Sequence, residues 1–264
     1  MSFCQNAIIP EWVLFHIPHD SVDIPCECRE LFVIPDDELQ AELVRMTDLH
    51  TCELFAGGVS ADQTFRFPVS RLLVDPERFP EDQKEPMAAK GQGVIYDKMS
   101  DGRRLKRKLS AIERRYLMER YYFPHHERLT AAVHTAISRY GRALIVDCHS
   151  FSSVPLPLEP CQNPVRPQIC IGTDAFHTPP NVTDKLCDVF SSAGLSFLLD
   201  EPFAGSLSPM LHYRHEKRVA SFMLEVRRDL YEYESTGRKK AGFGYVAEVL
   251  RRAVSCAAEV FARH

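Results

Sequence analysis

No stretch of this 264-residue sequence approaches the ~18 consecutive apolar residues that a membrane-spanning helix requires. Met1 to Asp20 also lacks a basic leader followed by an unbroken apolar core, so no secretory signal is expected. Charge of one sign is missing as well. Lys and Arg number 32 against 36 Asp and Glu, which gives a formal net charge of −4 and no global attraction to nucleic acid or anionic lipid. The nine cysteines (Cys4, Cys26, Cys28, Cys52, Cys148, Cys161, Cys170, Cys187, Cys256) are odd in number, scattered, and never spaced C-x-x-C. That density is too thin for a disulfide scaffold, and reduced thiols in a cytoplasmic protein are expected. A Gly-x-Ser-x-Gly nucleophile elbow is absent, and Gly91-Gln92-Gly93 lacks the third glycine and the strand–turn–helix setting of a dinucleotide site. There is no internal repeat and no low-complexity segment.

What is present is an ordinary globular composition, 45% hydrophobic and 26% charged, which excludes wholesale disorder, collagen and coiled coil. Short apolar runs alternate with longer helical patterns. Strands are expected at Trp12 to Ile17, Thr64 to Val74 (one or two, around Pro68), Ala143 to Val146, Ile169 to Ile171, Ser196 to Leu199 and Phe222 to Val226. Asp36 and Asp37 open a helix carrying Leu39, Leu43, Met46 and Leu54, with its end near Gly57-Gly58. Ser100 to Tyr140 reads as helix interrupted at Pro124 and capped by Gly141. A further helix is expected from Val182 to Ala193. A last one places Val246, Val249, Leu250, Ala253, Val254 and Phe261 on one face. Strands alternating with helices throughout predict one α/β domain over residues 1–264, with a mixed, mostly parallel sheet flanked by helices. Val154 to Pro167 and Pro76 to Gly93 read as long functional loops. The seven Lys and Arg between Arg103 and Arg115 enclose a stripe of Leu105, Leu109, Ile112 and Tyr116. A solvated basic face on an amphipathic helix explains them better than a nucleic-acid site.

Chemistry is expected beyond the carboxyl ends of the strands, where open α/β sheets bind ligands. The first strand runs into Pro18-His19-Asp20-Ser21, and Ala143 to Val146 runs into Asp147-Cys148-His149-Ser150. Phe222 to Val226 carries Glu225 and is followed by Arg227, Arg228 and Asp229. Two histidines and several carboxylates so delivered suit a zinc site with an open position. Cys148 and His149 do not form a dyad, because adjacent strand residues point to opposite faces.

The sequence also resembles a known family. Ile17-Pro-His-Asp-Ser-Val-Asp-Ile-Pro25, Thr47-Asp48, Ser70-Arg-Leu-Leu-Val-Asp-Pro-Glu-Arg-Phe-Pro80, Gly91-Gln-Gly-Val-Ile-Tyr96, Tyr122-Phe-Pro-His-His126, Ile145-Val-Asp-Cys-His-Ser150, Pro202-Phe-Ala-Gly205 and Leu224-Glu-Val-Arg-Arg-Asp-Leu-Tyr231 stand in the order seen in N-formylglutamate amidohydrolases. Those enzymes are similar in fold to zinc carboxypeptidases. Val22 stands where the carboxypeptidase His-x-x-Glu would place its glutamate, and Glu77 stands where many family members have Asn.

The resemblance implies a divalent metal, zinc first, held by His19 and His149, with Asp48 as the family-matched third ligand. Asp147 is the rival, since it shares a strand face with His149 as a ligand or as a carboxylate orienting it. Glu225, costly in an apolar run unless paired or functional, is placed by the resemblance as general base; an ion pair with Arg227 or Arg228 is the alternative. Arg71 and Arg78 suit a bidentate grip on a substrate carboxylate, and Arg227, near the base, is the third candidate for binding substrate. His126 is a candidate for positioning substrate or donating to a developing oxyanion. The activity implied is hydrolysis of N-formyl-L-glutamate, or a related small N-acyl amino acid, to formate and the free amino acid, as in histidine breakdown. The partner is then a small molecule, with neither nucleic acid nor membrane involved. A catalytically inactive binding protein and a related peptidase acting on longer substrates are the other readings of this scaffold.

Overall fold

The computed structural model describes residues 9–263; Cys4 and the first eight residues of the segment read for a signal fall outside them. The strands are β1 (Val13–Ile17), β2 (Thr64–Arg66), β3 (Ala143–Phe151), β4 (Ile169–Gly172), β5 (Phe197–Leu199) and β6 (Val219–Arg227). They form one sheet in the order β2-β1-β3-β6-β4-β5, and every neighbouring pair is parallel except β4 with β6. The mixed, mostly parallel sheet is as the alternating pattern predicts. Glu232–Tyr233 and Arg238–Lys239 pair separately as a short antiparallel hairpin. No disulfide joins the described cysteines, and no helix among the described residues is long and apolar enough to cross a membrane.

The central strands β1, β3, β6 and β4 are buried on both faces, and alternation sorts their side chains. Val13, Phe15 and Ile17 of β1, with Leu144, Val146 and Cys148 of β3, pack under α2 (Thr51–Ala56), α5 (Pro180–Ser192) and α6 (Phe243–Phe261). All six apolar positions read on the last helix are buried in α6. Fully burying a leucine such as Leu250 contributes roughly 1.5–3 kcal/mol. On the other face Leu14 and Ile145 meet Leu129, Val133 and Ala136 of α4 (Phe123–Tyr140), which ends at Gly141 with φ 74° as expected. His16, Asp147 and His149 belong to this second face by the same alternation.

Three elements depart from the sequence reading. The helix from Asp36 is two helices, α1 (Asp36–Met46) and α2, broken by Thr47 to His50. Met46 and Leu54 are eight residues apart, a helical spacing, so periodicity cannot see the break. Thr64 to Val74 is a strand only to Arg66; beyond it the chain turns, and Leu72 and Leu73 are buried without sheet pairing. Ser100 to Leu109 is irregular. The helix α3 (Ala111–Leu117) starts behind a Ser110–Glu113 capping box and continues through a wide π-type turn at Met118–Tyr122 into α4, with Pro124 in the first turn of α4. Leu105 is buried whereas Ile112 and Tyr116 are exposed, so the basic run is not one amphipathic helix. Within it Lys106 is wholly buried, donating to the carbonyls of Leu72 and Leu73 below the Phe32 ring.

Candidate metal centre and its cavity

A cavity of about 310 Å³ opens at the carboxyl ends of β1, β3 and β6. His19 enters it from the turn after β1, His149 and Ser150 from the end of β3, and Glu225 from β6. The loops at 76–93 and 154–167 wall it through Glu77, Arg78, Leu156 and Leu158. His149 and Glu225 are register partners across the parallel β3–β6 pair, so the sheet itself holds them side by side.

Asp48 arrives from the break between α1 and α2. The Thr47 N–H still bonds the Leu43 carbonyl at 3.0 Å, and the next N–H, from Asp48, turns to the His19 carbonyl at 2.9 Å. His50 then adopts φ 68°, a left-handed conformation uncommon for a residue with a side chain, and its ring bonds the Gly237 carbonyl at 2.7 Å. This detour brings Asp48 against His19. Arg228 fixes it there: its Nη2 donates to Asp48 Oδ1 at 2.7 Å, and its Nε donates to Ser150 Oγ at 3.0 Å.

Asp48 Oδ2 is left 3.5 Å from His19 Nδ1 and 3.4 Å from His149 Nδ1. All three residues are buried, and neither His19 Nδ1 nor Asp48 Oδ2 has a hydrogen-bond partner. Buried, unpaired acceptors are costly unless something joins them. Ligands about 2.1 Å from a tetrahedral zinc ion stand roughly 3.4 Å apart, which the two observed separations match. The donor set, two imidazoles and one carboxylate, also fits a divalent metal with one position open. Burial alone would raise the Asp48 carboxyl, but His149, His19 and Arg228 outweigh it and hold the group well below the carboxylate range, as an anion.

The far nitrogen of each histidine is held by a carboxylate. His19 Nε2 is 2.8 Å from Asp75 Oδ1, and His149 Nε2 is 3.0 Å from Asp147 Oδ1. This arrangement fixes ring orientation and leaves Nδ1 free as an acceptor. Asp75 is wholly buried; its Oδ2 accepts from Arg71 Nη2 at 2.9 Å and from the Tyr96 hydroxyl at 2.6 Å. The Arg78 guanidinium is held loosely by comparison, with Nε 3.6 Å from Asp75 Oδ2 and without a hydrogen-bond partner. Burial pushes the Glu225 carboxyl up to about 8, and its Oε2 has no partner.

The family model for N-formylglutamate amidohydrolase matches residues 12–232. The chain belongs to the N-formylglutamate amidohydrolase family. The crystal structure of an N-formylglutamate amidohydrolase from Ralstonia eutropha JMP134 shares the fold, with TM-score 0.81 over 94% of this chain and 94% of that one, at 21% identity. The crystal structure of a gene product from Agrobacterium tumefaciens is also similar, with TM-score 0.64 over 95% of this chain and 93% of that one, at 21% identity. No curated protein matches the sequence.

In this member of the amidohydrolase family, the residues read from the sequence divide into two groups. His19, Asp48, His149, Glu225, Arg71 and Arg78 all line the one cavity. His126 and Arg227 do not. The Nε2 of His126 is occupied by the Pro76 carbonyl at 3.0 Å, its ring lies 4.4 Å from that of Tyr122, and burial lowers its pKa to about 4. Arg227 turns outward to Asp229 at 2.7 Å and to the Arg166 carbonyl at 2.7 Å. The exchange comes from the end of the strand: alternation alone would keep Arg227 on the face of Glu225, but β6 stops at Arg227 and the tight helical turn Arg228–Leu230 swings Arg228 into the cavity. Tyr96 is a cavity residue that no spacing in the sequence singles out. Asp147 lies behind His149, with Oδ1 shared between two histidines and Oδ2 accepting from the Leu207 N–H at 3.1 Å.

Proposed function

We propose that the protein is a metal-dependent amidohydrolase cleaving N-formyl-L-glutamate, or a closely related N-acyl amino acid, to formate and the free amino acid. The observation that carries this reading is the trio of ligand atoms, His19 Nδ1, Asp48 Oδ2 and His149 Nδ1, facing one another beside Glu225 on the floor of the cavity. A bound divalent ion, zinc by its donor set, would polarise the acyl carbonyl and acidify a water molecule. Glu225 accepts that water's proton at Oε2 as the new C–O bond forms, and returns it to the amine nitrogen as the C–N bond breaks. A carboxyl lifted by burial is suited to hold and then release a proton near neutral pH. Arg71 and Arg78 grip the substrate carboxylates, Arg71 aligned by Asp75 and Tyr96 and Arg78 retaining an unpaired Nε. The small cavity, walled by both long loops, favours a compact substrate over a peptide.

Arg71→Lys and Arg78→Lys are each expected to lower kcat/KM for N-formylglutamate at least ~10-fold, about 1.4 kcal/mol of transition-state binding, because Lys cannot reproduce the planar fork. Assay against a neutral ester analogue checks the assignment. Equal losses for acid and ester would mean that the arginines only support structure. Wild-type preference for a neutral N-acyl compound would remove N-formylglutamate as the substrate.

Asp48 and Asp147 are expected to separate in a zinc titration. Asp48→Asn removes a ligand and should abolish tight binding, whereas Asp147→Asn should weaken metal affinity only ~10–100-fold by loosening His149. The larger loss at Asp147 would exchange the two roles.

A further inference from the structure

Gly91-Gln92-Gly93 has no part in the reaction above, but its fold sets one polar side chain against the cavity. Gly91 takes φ 82°, a left-handed conformation that glycine adopts freely, and a Cβ there would stand 2.7 Å from the Lys98 side chain. The turn is closed by the Gln92 N–H on the Met87 carbonyl at 2.9 Å and by the Asp97 N–H on the Gly91 carbonyl at 2.9 Å. Gln92 then pairs with Tyr96 in an antiparallel bridge, so their side chains leave on the same face. Only 5% of Gln92 is exposed, and both residues line the cavity. Among the described residues the Gln92 carboxamide has no hydrogen-bond partner. A buried carboxamide that leaves two N–H groups and an oxygen unused is costly, unless what enters the cavity uses them.

The arginines on either side indicate what that is. Arg71 donates from Nε to the Tyr96 hydroxyl at 3.1 Å and stands one carboxylate away from His19, through Asp75. Arg78 reaches the other way: its Nη1 lies 3.8 Å from Glu85 Oε1, which accepts from the N–H of Met87, the residue whose carbonyl holds Gln92. An N-acyl amino acid laid along this wall from the metal trio places its α-carboxylate by Arg71 and its side-chain carboxylate by Arg78 and Gln92. A carboxylate offers about four lone-pair sites, and one guanidinium fork fills two of them, so a buried one needs a further donor.

We propose that Gln92 is a specificity-determining residue, whose carboxamide nitrogen donates to the substrate's side-chain carboxylate beside Arg78. The inference rests on the amidohydrolase reading and narrows its substrate class to N-acyl amino acids with an acidic side chain. Three compounds test it on wild type, Gln92→Met and Gln92→Glu: N-formylglutamate, N-formylglutamine, and the isomer whose α-carboxylate is the amide instead. Gln92→Met keeps the length of the side chain and loses its donor. It should lower the ratio of kcat/KM for N-formylglutamate to that for N-formylglutamine about 10-fold, mainly through KM, as loss of a hydrogen bond to a charged group does. Gln92→Glu keeps the shape and sets like charges together, and the same ratio should fall at least ~100-fold. The α-amide isomer, which retains the side-chain carboxylate, should lose activity in step with N-formylglutamate. Equal losses for all three compounds mark a structural role and overturn the proposal, as does a loss that follows the α-carboxylate. If wild type turns over none of them, the amidohydrolase reading fails by itself, and calorimetric Kd values for the same compounds decide the role of Gln92. The acid-to-amide preference should then fall in both variants; an unchanged preference, or no binding to wild type, overturns the inference.

Discussion

His149→Ala and His19→Ala should each strip the protein of its metal, from about one ion per chain in wild type to almost none, while the fold persists. The expectation follows from how the proposed site is assembled. Among the described residues the site offers three protein ligands, and each converges on a single point from a different element: His19 after β1, Asp48 between α1 and α2, His149 at the end of β3. Removing one leaves two ligands, too few to hold a divalent ion against water at ordinary dilution. The fold is expected to survive because the sheet core is made by Val13, Phe15, Val146, Phe222 and their helical partners on residues that the substitution does not touch. Elemental analysis together with a thermal unfolding curve reads both parts. Full metal occupancy in the two folded variants would remove this site.

Glu225→Gln should leave the fold and the metal in place and lower kcat ~10²–10⁴-fold, the range expected when a positioned acid–base group is lost. The amide keeps the size of the side chain and cannot accept the water's proton. Its stability cost should be small, because burial already disfavours the Glu225 anion, with the pKa pushed up to about 8, and Oε2 has no hydrogen bond to lose. Arg227 is paired with Asp229 and Arg228 with Asp48, so no ion pair to Glu225 competes with the base role. A metal-replete Glu225→Gln protein turning over at near the wild-type rate would exclude Glu225 as the base.

Much of this architecture was legible in the residues themselves. Apolar runs at Val13 to Ile17, Ala143 to Val146 and Phe222 to Val226 read as buried strands because burial on both faces leaves no polar alternation to find. Alternation along β3 separates Cys148, which enters the core, from Asp147 and His149, which share the opposite face. His19, His149 and Glu225 were recognisable as polar groups at the ends of apolar strands, and the family motifs added Asp48, Arg71 and Arg78 to them.

Tertiary structure decided the rest. Periodicity carries Leu39 through Leu54 as one helix, and only the bond from the Asp48 N–H to the His19 carbonyl, together with the left-handed His50, reveals the break that turns Asp48 inward. That Arg228 and not Arg227 faces the cavity depended on β6 ending at Arg227 and the chain turning there, and the group that occupies the His126 ring is a carbonyl 50 residues away. His16 on β1 is the plainest case: its hydrogen-bond partners Asp147 and His125 lie 131 and 109 residues along the chain. Local sequence reports local spacing, helix or strand, inward or outward. Which buried charges become neighbours is set by strand order and register, and in this protein those neighbours determine what each histidine can do.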